Sequence, residues 1–376
     1  MTKKIGILGG GQLARMMCLK GFEMGLEMHV LSPSKEDPAA QVTQFWSKGK
    51  LDNSKHLKAF LNKVDVATFE SEFLDGNQLH LLQTECKTKI FPSPKTMELL
   101  QDRLSQKLLL EKSNLNTSPF LTINNYSDLE NSFNSLTEEY ELFQGLVLKK
   151  RKFGYDGYGT FVIKNKKDLQ KLKPVFKKTH PGFIAELFVP FNRELAFTVC
   201  RNKKKEFRFL PLVETHQVNS RCLWVKGPVE TDALYSLQKQ VKEFLNKLNY
   251  IGVISFELFD VDGSLLINEV APRVHNSAHY SLDALVTDQF SYALRCLVNA
   301  PLPSIESISS GFAMYNLLGT KDGKKIKINL NPSVKLHWYG KKENRKGRKM
   351  GHITTVEDSP EVALRYLKKS LEDFAL

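Results

Sequence analysis

Apolar runs separated by amphipathic stretches divide the first hundred residues into alternating strands and helices. We predict strands at 4–8, 28–31, 64–69 and 88–91, and helices at 12–24 and near 77–84. Such alternation is typical of a parallel sheet with helices packed on its faces. The pattern therefore predicts a Rossmann-like α/β domain at the start of the chain.

Beyond a proline-flanked joint at 91–94, the pattern is more irregular and richer in strands. The predicted strands are 146–149, 160–163, 183–189, 195–200, 251–259, 265–270, 312–318, 334–339 and 352–356, and the predicted helices are 97–113, 231–248, 287–298 and near 360–374. Mixed elements of this kind are typical of α+β domains. We expect three domains, at residues 1–95, 96–300 and 301–376, and the last one is small and β-rich.

An apolar hairpin carries the most informative polar residues. The strands 251–259 and 265–270 flank Asp262-Gly263, a strong two-residue turn signal. Pairing across that turn places Glu257 opposite Asn268 and diagonal to Glu269, so three oxygen-bearing side chains are expected in one patch.

Acids beside apolar runs are costly to bury unless a cation or hydrogen bonds compensate them. We interpret this patch as a magnesium site, because Mg²⁺ takes a few protein oxygens and completes its shell with water or phosphate. A solvent-facing hairpin with stray acids is the alternative.

Two glycine-rich segments can present backbone amides to an anion. Gly9-Gly10-Gly11-Gln12 lies where the first strand passes into a helix, which favours phosphate binding. The third glycine of the dinucleotide fingerprint is absent, so a substrate phosphate is favoured over a nicotinamide cofactor. The segment 153–159 holds three glycines in six residues and follows Lys149, so it predicts a flap over phosphates, with an ordinary glycine-rich hairpin as the alternative.

Composition limits the classes of protein that remain. The chain has 376 residues, of which 41% are hydrophobic and 25% are charged, as in a globular protein with ample core. It shows neither an apolar leader nor about 18 consecutive apolar residues, so we expect cytoplasmic residence and no membrane partner. The five scattered cysteines are expected to be reduced thiols.

The formal net charge of +13 raises the question of nucleic-acid binding. The lysine clusters lie mostly in predicted turns and on exposed helix faces, without the interleaved aromatic residues that stack on bases. A solvated basic surface is therefore favoured and no nucleic-acid partner is expected, while Lys149 and the segment 341–349 fit small phosphorylated molecules.

A lysine-ended strand, a glycine flap, a strand that could bind a purine and paired acids, in this order, resemble the ATP-grasp superfamily. Within it, nearly the whole chain is similar to the N5-carboxyaminoimidazole ribonucleotide synthase family. The motifs that carry the resemblance are Gly9-Gly10-Gly11-Gln12-Leu13, Thr68-Phe69-Glu70-Ser71-Glu72, Asp102-Arg103-Leu104-Ser105-Gln106-Lys107, Gly154-Tyr155-Asp156-Gly157, the run from Asn268 to Ser277, Leu336-His337-Trp338-Tyr339, and Gly347-Arg348-Lys349-Met350-Gly351-His352.

The resemblance implies a Rossmann-like pre-ATP-grasp domain, a two-lobed ATP-grasp domain, and a C-terminal domain that completes a ribonucleotide site. It also implies ATP-dependent carboxylation of 5-aminoimidazole ribonucleotide by bicarbonate through carboxyphosphate, with ATP and Mg²⁺ as cofactors and a homodimer as the assembly. Another ATP-grasp carboxylate–amine ligase, and a non-catalytic basic nucleic-acid binder, are the alternatives.

The resemblance assigns roles residue by residue. The residues implied for ATP are Arg103, Lys149, Gly154, Tyr155, Asp156, Gly157, Gly159, Glu186, Val189, Glu194, Asn268 and Glu269. Those implied for the ribonucleotide and bicarbonate are Gln12, Glu72, His275, Asn276, Lys341, Arg348 and Lys349. The implied metal ligands are Glu257 and Glu269, and the implied catalytic residues are Tyr155, Asp156 and Arg273.

Three positions depart from the family pattern. Phe153 replaces the first of two glycines before the Tyr-Asp pair, and Phe73 stands where an asparagine is common. A histidine that commonly lies three residues after the equivalent of Glu214 is Gln217 here, and His216 comes one residue early.

Overall fold

The computed structural model describes residues 2–139, 143–154, 157–178, 182–320 and 332–372. A five-stranded parallel sheet opens the chain, with the strand order β3-β2-β1-β4-β5. Its elements are β1 (Lys4–Leu8), α1 (Gln12–Glu23), β2 (Glu27–Ser32), β3 (Phe45–Lys48), α2 (Ser54–Leu61), β4 (Val66–Phe69), α3 (Gly76–Glu85) and β5 (Lys89–Ile90). The predicted α/β domain is confirmed.

The sequence pattern missed β3 and α2 in this domain. The strand β3 is partly buried at the sheet edge and has only four residues, which gives little periodic signal. The helix α2 begins after Asn53, whose side chain accepts hydrogen bonds from the amides of Lys55 and His56. An asparagine N-cap of this kind stabilises a short helix that hydrophobic periodicity alone does not reveal.

The helix predicted at 97–113 is two helices, α4 (Pro94–Gln101) and α5 (Arg103–Lys112). Asp102 has an extended backbone, and its carboxylate accepts hydrogen bonds from the amides of Leu104 and Ser105. The prediction of one helix was wrong because Asp102 both ends α4 and caps α5. Arg103 consequently lies in the first turn of a new helix.

A four-stranded antiparallel sheet with the order β6-β9-β7-β8 follows. Its elements are β6 (Phe120–Ile123), α6 (Tyr126–Glu139), β7 (Leu146–Lys150), β8 (Thr160–Ile163), α7 (Lys166–Lys171), a 3₁₀ turn (Val175–Lys178) and β9 (Phe183–Leu187). The buried side chains of Leu129, Phe133, Leu146 and Phe183 form its core. The carboxyl end of β7 carries Lys149 to the edge of this lobe.

The largest sheet has nine strands, and β11 lies off its main path beside β10. The main path runs β15-β14-β10-β12-β13-β16-β18-β17. Its strands are β10 (Arg193–Arg201), β11 (Phe207–Phe209), β12 (Val213–Val218), β13 (Arg221–Gly227), β14 (Gly252–Val261), β15 (Ser264–Ala271), β16 (Gly311–Leu318), β17 (Lys335–Trp338) and β18 (Lys349–Glu357). The helical segments that accompany it are α8 (Ala233–Lys247), a 3₁₀ turn (Asn276–Ala278), α9 (Ser281–Ala284), α10 (Gln289–Val298) and α11 (Pro360–Glu372).

Pairing of β13 with β16 joins the central and C-terminal parts of the chain in one sheet. The largest hydrophobic core contains buried residues of α1, β10, β14, α10 and β16, so it also fixes the first domain against that sheet. These contacts bring the loop after β4 close to the end of β15. The predicted combination of a parallel α/β domain with α+β lobes and a β-rich C-terminal part is confirmed.

All five cysteines are buried and unpaired, as expected. Within the part of the chain that the structure describes, no helix is both long enough and apolar enough to cross a bilayer.

Candidate active site

The acidic patch lies on the β14–β15 hairpin, whose turn pairs Val261 with Ser264 as predicted. Farther from the turn the ladder shifts by one residue, so Glu257 lies opposite Glu269. The expectation that Glu257 would lie opposite Asn268 was wrong, because Asn268 is the extra residue of a β-bulge.

The bulge decides which face of the sheet each acid occupies. In a regular ladder from the same turn, Glu269 would lie opposite Phe256, on the other face from Glu257. Phe256 is fully buried. The inserted residue therefore turns Glu269 away from the core and towards Glu257.

Electrostatic repulsion marks this pair of carboxylates. Burial, followed by the charges of Glu269 and Glu194, raises the pKa of Glu257 to about 7. Burial also raises the pKa of Glu194 to about 7, although the charge of Lys149 opposes it. Arg103 compensates part of the negative charge, because its Nη2 donates to Oε2 of Glu269 at 2.8 Å.

A neutral histidine completes this end of the patch. The Nε2 atom of His275 lies 3.5 Å from Oε1 of Glu257. Burial, with the charges of Arg273 and Lys349, holds the pKa of His275 well below its usual value. His275 therefore provides no positive charge near pH 7 that would compensate Glu257.

The donor set fits a hard cation that shares its ligands with phosphate. Residues 2–139, 143–154, 157–178, 182–320 and 332–372 contain no group of three or more His, Cys, Asp or Glu side chains placed to bind a metal. Two opposed carboxylates, one of them with a raised pKa, provide some of the oxygen ligands that a cation needs and leave the other positions to further ligands. Magnesium, which keeps positions for water and phosphate, suits such a site better than a cation that needs a closed protein cage.

Lys149 stands beside the acidic patch at the end of β7. Its Nζ donates to Oε2 of Glu186 at 3.0 Å and to Oδ1 of Asn268 at 2.8 Å. Three residues that the resemblance assigned separately to the nucleotide, Lys149, Glu186 and Asn268, thus lie in direct contact. The bulge residue itself links the small antiparallel lobe to the large sheet.

Sequence reasoning missed Lys107, a buried partner of this group. Its Nζ lies 3.2 Å from Oε2 of Glu186 and donates to the hydroxyls of Thr117 and Ser118 at 2.6 and 2.7 Å. The signal was present, since Lys107 follows Arg103 by four residues and so shares its helix face.

The flap begins next to Arg103. A Cβ atom on Gly154 would lie 3.1 Å from Nη1 of Arg103, which shows how closely the backbone approaches the guanidinium. Gly157 and Gly159 have φ values of +80° and +82°, which glycine adopts without strain. Tyr155 and Asp156, expected to be catalytic, lie outside the described residues. Val189 was predicted as the last residue of a strand, but β9 ends at Leu187, so Val189 lies just after it.

A second charged group joins the first domain to the end of β15. The Nε and Nη2 atoms of Arg273 both donate to the carboxylate of Glu72, the second at 3.0 Å. Burial alone would raise the pKa of Glu72, but the ion pair with Arg273 outweighs it and lowers that pKa. The predicted substrate residue Glu72 and the predicted catalytic residue Arg273 are therefore direct partners.

A carboxyl group of the chain itself binds the glycine turn before α1. The carboxylate of Glu70 accepts from the amides of Gly11 and Ala14, the latter at 3.2 Å. Two amides near the helix N-terminus are thus occupied by the chain's own acid, although the expectation was a substrate phosphate. Gln12 opens the helix at this point.

Three cationic residues of the C-terminal part, Lys341, Arg348 and Lys349, lie before or at the start of β18. Nη1 of Arg348 donates to the backbone oxygen of Glu343 at 3.0 Å, and Nζ of Lys341 donates to that of Lys349 at 2.6 Å. The charge of Lys349 acts on both Glu257 and His275. The structure therefore brings Lys349 towards the acidic patch.

Two further residues that the sequence did not single out hold the loop after β15. Asn316 exchanges two amide hydrogen bonds with Asn276, at 2.9 and 2.7 Å. Gln289 is fully buried, accepts from the amide of His275 at 2.8 Å and donates to its carbonyl at 2.9 Å. Both act across elements distant in sequence, so no local pattern could reveal them.

Two of the departures from the family pattern contact each other. The rings of Phe73 and Phe153 have centroids 6.3 Å apart and an interplanar angle of 42°. Phe153 has a φ of +63°, a strained value for a residue with a side chain. The third departure is a packing feature, because the ring of His216 stacks on Trp224 with centroids 5.0 Å apart, and Gln217 follows a register shift in β12.

Comparison with protein families matches three consecutive parts of the chain. Residues 1–101 match the ribonucleotide synthetase preATP-grasp domain, residues 108–290 the ATP-grasp domain, and residues 313–366 the phosphoribosylaminoimidazole carboxylase C-terminal domain.

Individual proteins match over nearly the whole chain. An N5-carboxyaminoimidazole ribonucleotide synthase of Synechococcus elongatus is 36% identical over 363 residues, covering 94% of this chain and 89% of that protein. The structure of N5-carboxyaminoimidazole synthetase from Staphylococcus aureus with ADP superposes with a TM-score of 0.89 at 31% identity, covering 98% of each chain. That of N5-carboxyaminoimidazole synthase from Aspergillus clavatus with ADP and 5-aminoimidazole ribonucleotide gives a TM-score of 0.86 at 26% identity, covering 99% of this chain and 98% of that one.

Proposed function

The chain belongs to the N5-carboxyaminoimidazole ribonucleotide synthase family and is an ATP-grasp ligase that carboxylates 5-aminoimidazole ribonucleotide in purine biosynthesis, and from this premise we propose how its residues perform the reaction. ATP binds between the small antiparallel lobe and the large sheet. Lys149 and Arg103 contact its phosphates, Gly154, Gly157 and Gly159 cover them, and Glu186, Val189 and Glu194 line the nucleoside.

We propose that Glu257 and Glu269 hold Mg²⁺ together with the phosphates, with Asn268 beside them. A bound Mg²⁺ neutralises the charge that develops on the transferred phosphoryl group. The raised pKa of Glu257 supports this assignment, because burial and the opposed Glu269 make its charged form costly and a bound cation would offset that cost. Arg103 would exchange its contact with Glu269 for one with phosphate when nucleotide binds.

Bicarbonate is the proposed source of the carboxyl group. One bicarbonate oxygen attacks the γ-phosphorus, the bond to the β-phosphate oxygen breaks, and ADP leaves with that electron pair, giving carboxyphosphate. Three anions meet in this step, so fixed positive charge is the main physical requirement. Arg273, which Glu72 holds in position, is proposed to supply this charge together with Lys149 and Arg103.

Carboxyphosphate then breaks its carbon–oxygen bond to release CO₂ and phosphate. The exocyclic amine of the ribonucleotide attacks the CO₂ carbon and gives up one proton, which forms the N5-carboxy product. Tyr155 and Asp156 are assigned to take this proton on the basis of the motif alone. Closure of the flap would keep water from hydrolysing the intermediate.

The ribonucleotide is proposed to lie between the first domain and the C-terminal part. Its phosphate would contact Lys341, Arg348 and Lys349, whose donors suit a phosphate dianion. Its aminoimidazole would lie against His275 and Asn276. In addition, Gln12 and Glu72 would contact it from the first domain.

We also propose how the chain is divided into domains and where in the cell the enzyme acts. The three functional parts are residues 1–95, 96–300 and 301–376, with the last completing the ribonucleotide site. The enzyme acts in the cytoplasm, which five unpaired cysteines support, since reduced thiols are typical of that compartment. It forms a homodimer, as the family resemblance implies, and light scattering should then give twice the mass of one chain.

The observation that carries the proposal is the convergence of Glu257, Glu269, Lys149 and Arg103 at the bulge of the β14–β15 hairpin. Turnover with ¹⁸O-labelled bicarbonate tests it directly. Attack through bicarbonate must leave one labelled oxygen in the released phosphate. Phosphate that carries no label would overturn the carboxyphosphate route.

A further inference from the structure

We infer that Lys107 is a positioning residue that neutralises Glu186 and thereby leaves the charge of Lys149 available for the triphosphate. The inference deepens the proposed function, because it rests on Lys149 as the phosphate-binding lysine. None of the roles assigned above to the nucleotide site uses Lys107.

The geometry places two lysines on one carboxylate oxygen. Oε2 of Glu186 lies 3.2 Å from Nζ of Lys107 and 3.0 Å from Nζ of Lys149, and it accepts a hydrogen bond from Ser118 at 2.6 Å. Oε1 of Glu186 is buried and has no hydrogen-bond partner among the described residues. Every donor to Glu186 therefore converges on the same atom.

Because the side chains of Lys107 and Glu186 are buried, each of their charges must be compensated by a neighbouring side chain. The side chains of Lys107 and Glu186 are only 2% and 3% exposed, whereas that of Lys149 is 11% exposed. Opposite charges that are buried together must compensate one another, since water cannot. Lys107 is the deeper lysine and faces no other acid within ion-pair distance among the described residues, so it is the natural counter-ion of Glu186.

One positive charge then remains on the outer lysine. Glu186 contributes one negative charge and the two lysines contribute two positive charges, so the group has a net positive charge at Lys149. The second partner of Lys149 is the neutral amide oxygen of Asn268. Without Lys107, Lys149 would be required to neutralise Glu186, and the attraction for phosphate would fall.

Lys107 is held in place independently of the nucleotide. It lies in α5, and Thr117 and Ser118 fix its ammonium group from the segment that leads into β6. Thr117 also donates to the backbone oxygen of Ile267, next to the bulge residue Asn268. The position of Lys107 is therefore tied to both lobes that enclose the nucleotide.

The test compares binding of a triphosphate with binding of its nucleoside. Calorimetric titration of Lys107→Met with the non-hydrolysable analogue AMP-PNP is expected to show at least tenfold weaker binding, whereas binding of adenosine should change less than threefold. A purely structural role would weaken both ligands alike. Equal losses for the two ligands, or unchanged AMP-PNP binding, would overturn the inference.

Two matched variants make the result specific. Lys112→Met removes an exposed lysine from the last turn of the same helix and should leave both affinities unchanged. The double variant Lys107→Met with Glu186→Gln removes both buried charges and leaves the charge of Lys149 unbalanced again. Because Glu186 is also proposed to line the nucleoside, the quantity compared is the ratio of AMP-PNP affinity to adenosine affinity, which should return to within threefold of the ratio for the unaltered chain.

The double variant also decides the matter if Lys107→Met alone does not fold. In that case a ratio of AMP-PNP affinity to adenosine affinity within threefold of that of the unaltered chain supports the inference, and a larger fall in this ratio contradicts it. None of these titrations requires the ribonucleotide or bicarbonate. Failure of the proposed carboxylation, seen as absent turnover of the unaltered chain, is thus distinguishable from failure of the role of Lys107.

Discussion

Glu257 and Glu269 lie directly opposite each other on neighbouring antiparallel strands, an arrangement made possible by the insertion of Asn268 between them and the turn. Like charges at such a position destabilise a sheet. Neutral side chains of the same size, such as glutamine, would relieve this repulsion. This arrangement, which brings two carboxylates together next to Lys149 and Arg103, supports the proposal that a cation binds there together with the nucleotide.

The first prediction is that Glu257→Gln and Glu269→Gln separate stability from activity. Glu257→Gln removes one of the two repelling charges, so without metal the free energy of unfolding should rise by up to about 2 kcal/mol. Glu269→Gln also removes the ion-pair partner of Arg103, so its free energy of unfolding should not rise. Magnesium-dependent turnover should fall at least a hundredfold, because a neutral amide is a poor ligand for Mg²⁺.

Urea unfolding and ATP turnover measured on the same preparations check this prediction. Glu243→Gln, a change at an exposed residue of α8 that is not part of the acidic patch, is the control and should alter neither quantity. Near-normal turnover in either site variant would remove that residue from the metal site.

The second prediction concerns pH. Because the pKa of Glu257 is raised to about 7, Mg²⁺ must compete with a proton below that pH. Mg²⁺ affinity should therefore increase from about pH 6 to about pH 8, and Glu257→Gln should remove most of this increase.

The same shift has an opposite effect on the stability of the metal-free protein. A carboxyl group with a higher pKa in the folded state than in the unfolded state stabilises the fold at low pH, and this contribution disappears as the pH rises through about 7. Titration of Mn²⁺ as a paramagnetic probe measures the affinity, and thermal unfolding in chelator measures the stability. An affinity that is flat across this range would contradict the assignment of Glu257.

The third prediction is that Arg348→Ala weakens use of the ribonucleotide and spares ATP. Loss of a cationic donor to a phosphate removes about 1.5–3 kcal/mol of interaction, which corresponds to a rise of roughly ten- to a hundredfold in the KM for 5-aminoimidazole ribonucleotide. The KM for ATP should change less than threefold. Lys346→Ala removes the same charge from an exposed neighbour and serves as the control. Equal effects on both substrates would place Arg348 elsewhere in function.

The fourth prediction concerns the contact between Phe73 and Phe153. Phe73 follows Glu72, which holds Arg273, and Phe153 precedes the first flap glycine beside Arg103. The contact between Phe73 and Phe153 therefore links the segment proposed to face the ribonucleotide with the flap proposed to cover ATP. An aromatic contact of this kind contributes about 0.5–1.5 kcal/mol, which the positive φ of Phe153 partly offsets.

A double-mutant cycle measures this link. Phe73→Asn and Phe153→Gly should each raise the KM for ATP about two- to fivefold, and the double variant should be no worse than either single one. Leu81→Asn, an exposed apolar residue of α3, is the control and should have no effect. Strictly additive effects in the cycle would show that the two rings act separately.

Much of the fold was predictable because periodicity was strong. The parallel strands of the first domain, the β14–β15 hairpin and the amphipathic helices α8 and α10 all follow from apolar spacing and turn residues. Short or edge elements such as β3 gave no such signal. The split between α4 and α5 depends on one capping side chain, Asp102, within an otherwise continuous helical pattern.

The sequence predicted which residues form the candidate acidic patch better than it predicted how they are arranged. Glu257, Asn268 and Glu269 were identified as one patch, yet a single inserted residue changed which of them face each other. A bulge of this kind is specified by the packing of Phe256 and the partners of Asn268, which are distant in sequence. The same reason explains why Lys107, Asn316 and Gln289 were missed, since each acts through a contact between separate elements.

Release of phosphate, with one substrate omitted at a time, tests the central assignment most directly. A sustained full rate is expected only when ATP, bicarbonate, 5-aminoimidazole ribonucleotide and Mg²⁺ are all present. That rate should fall sharply in CO₂-depleted buffer or without the ribonucleotide. The same rate without bicarbonate, or turnover only with a different acceptor, would contradict this assignment.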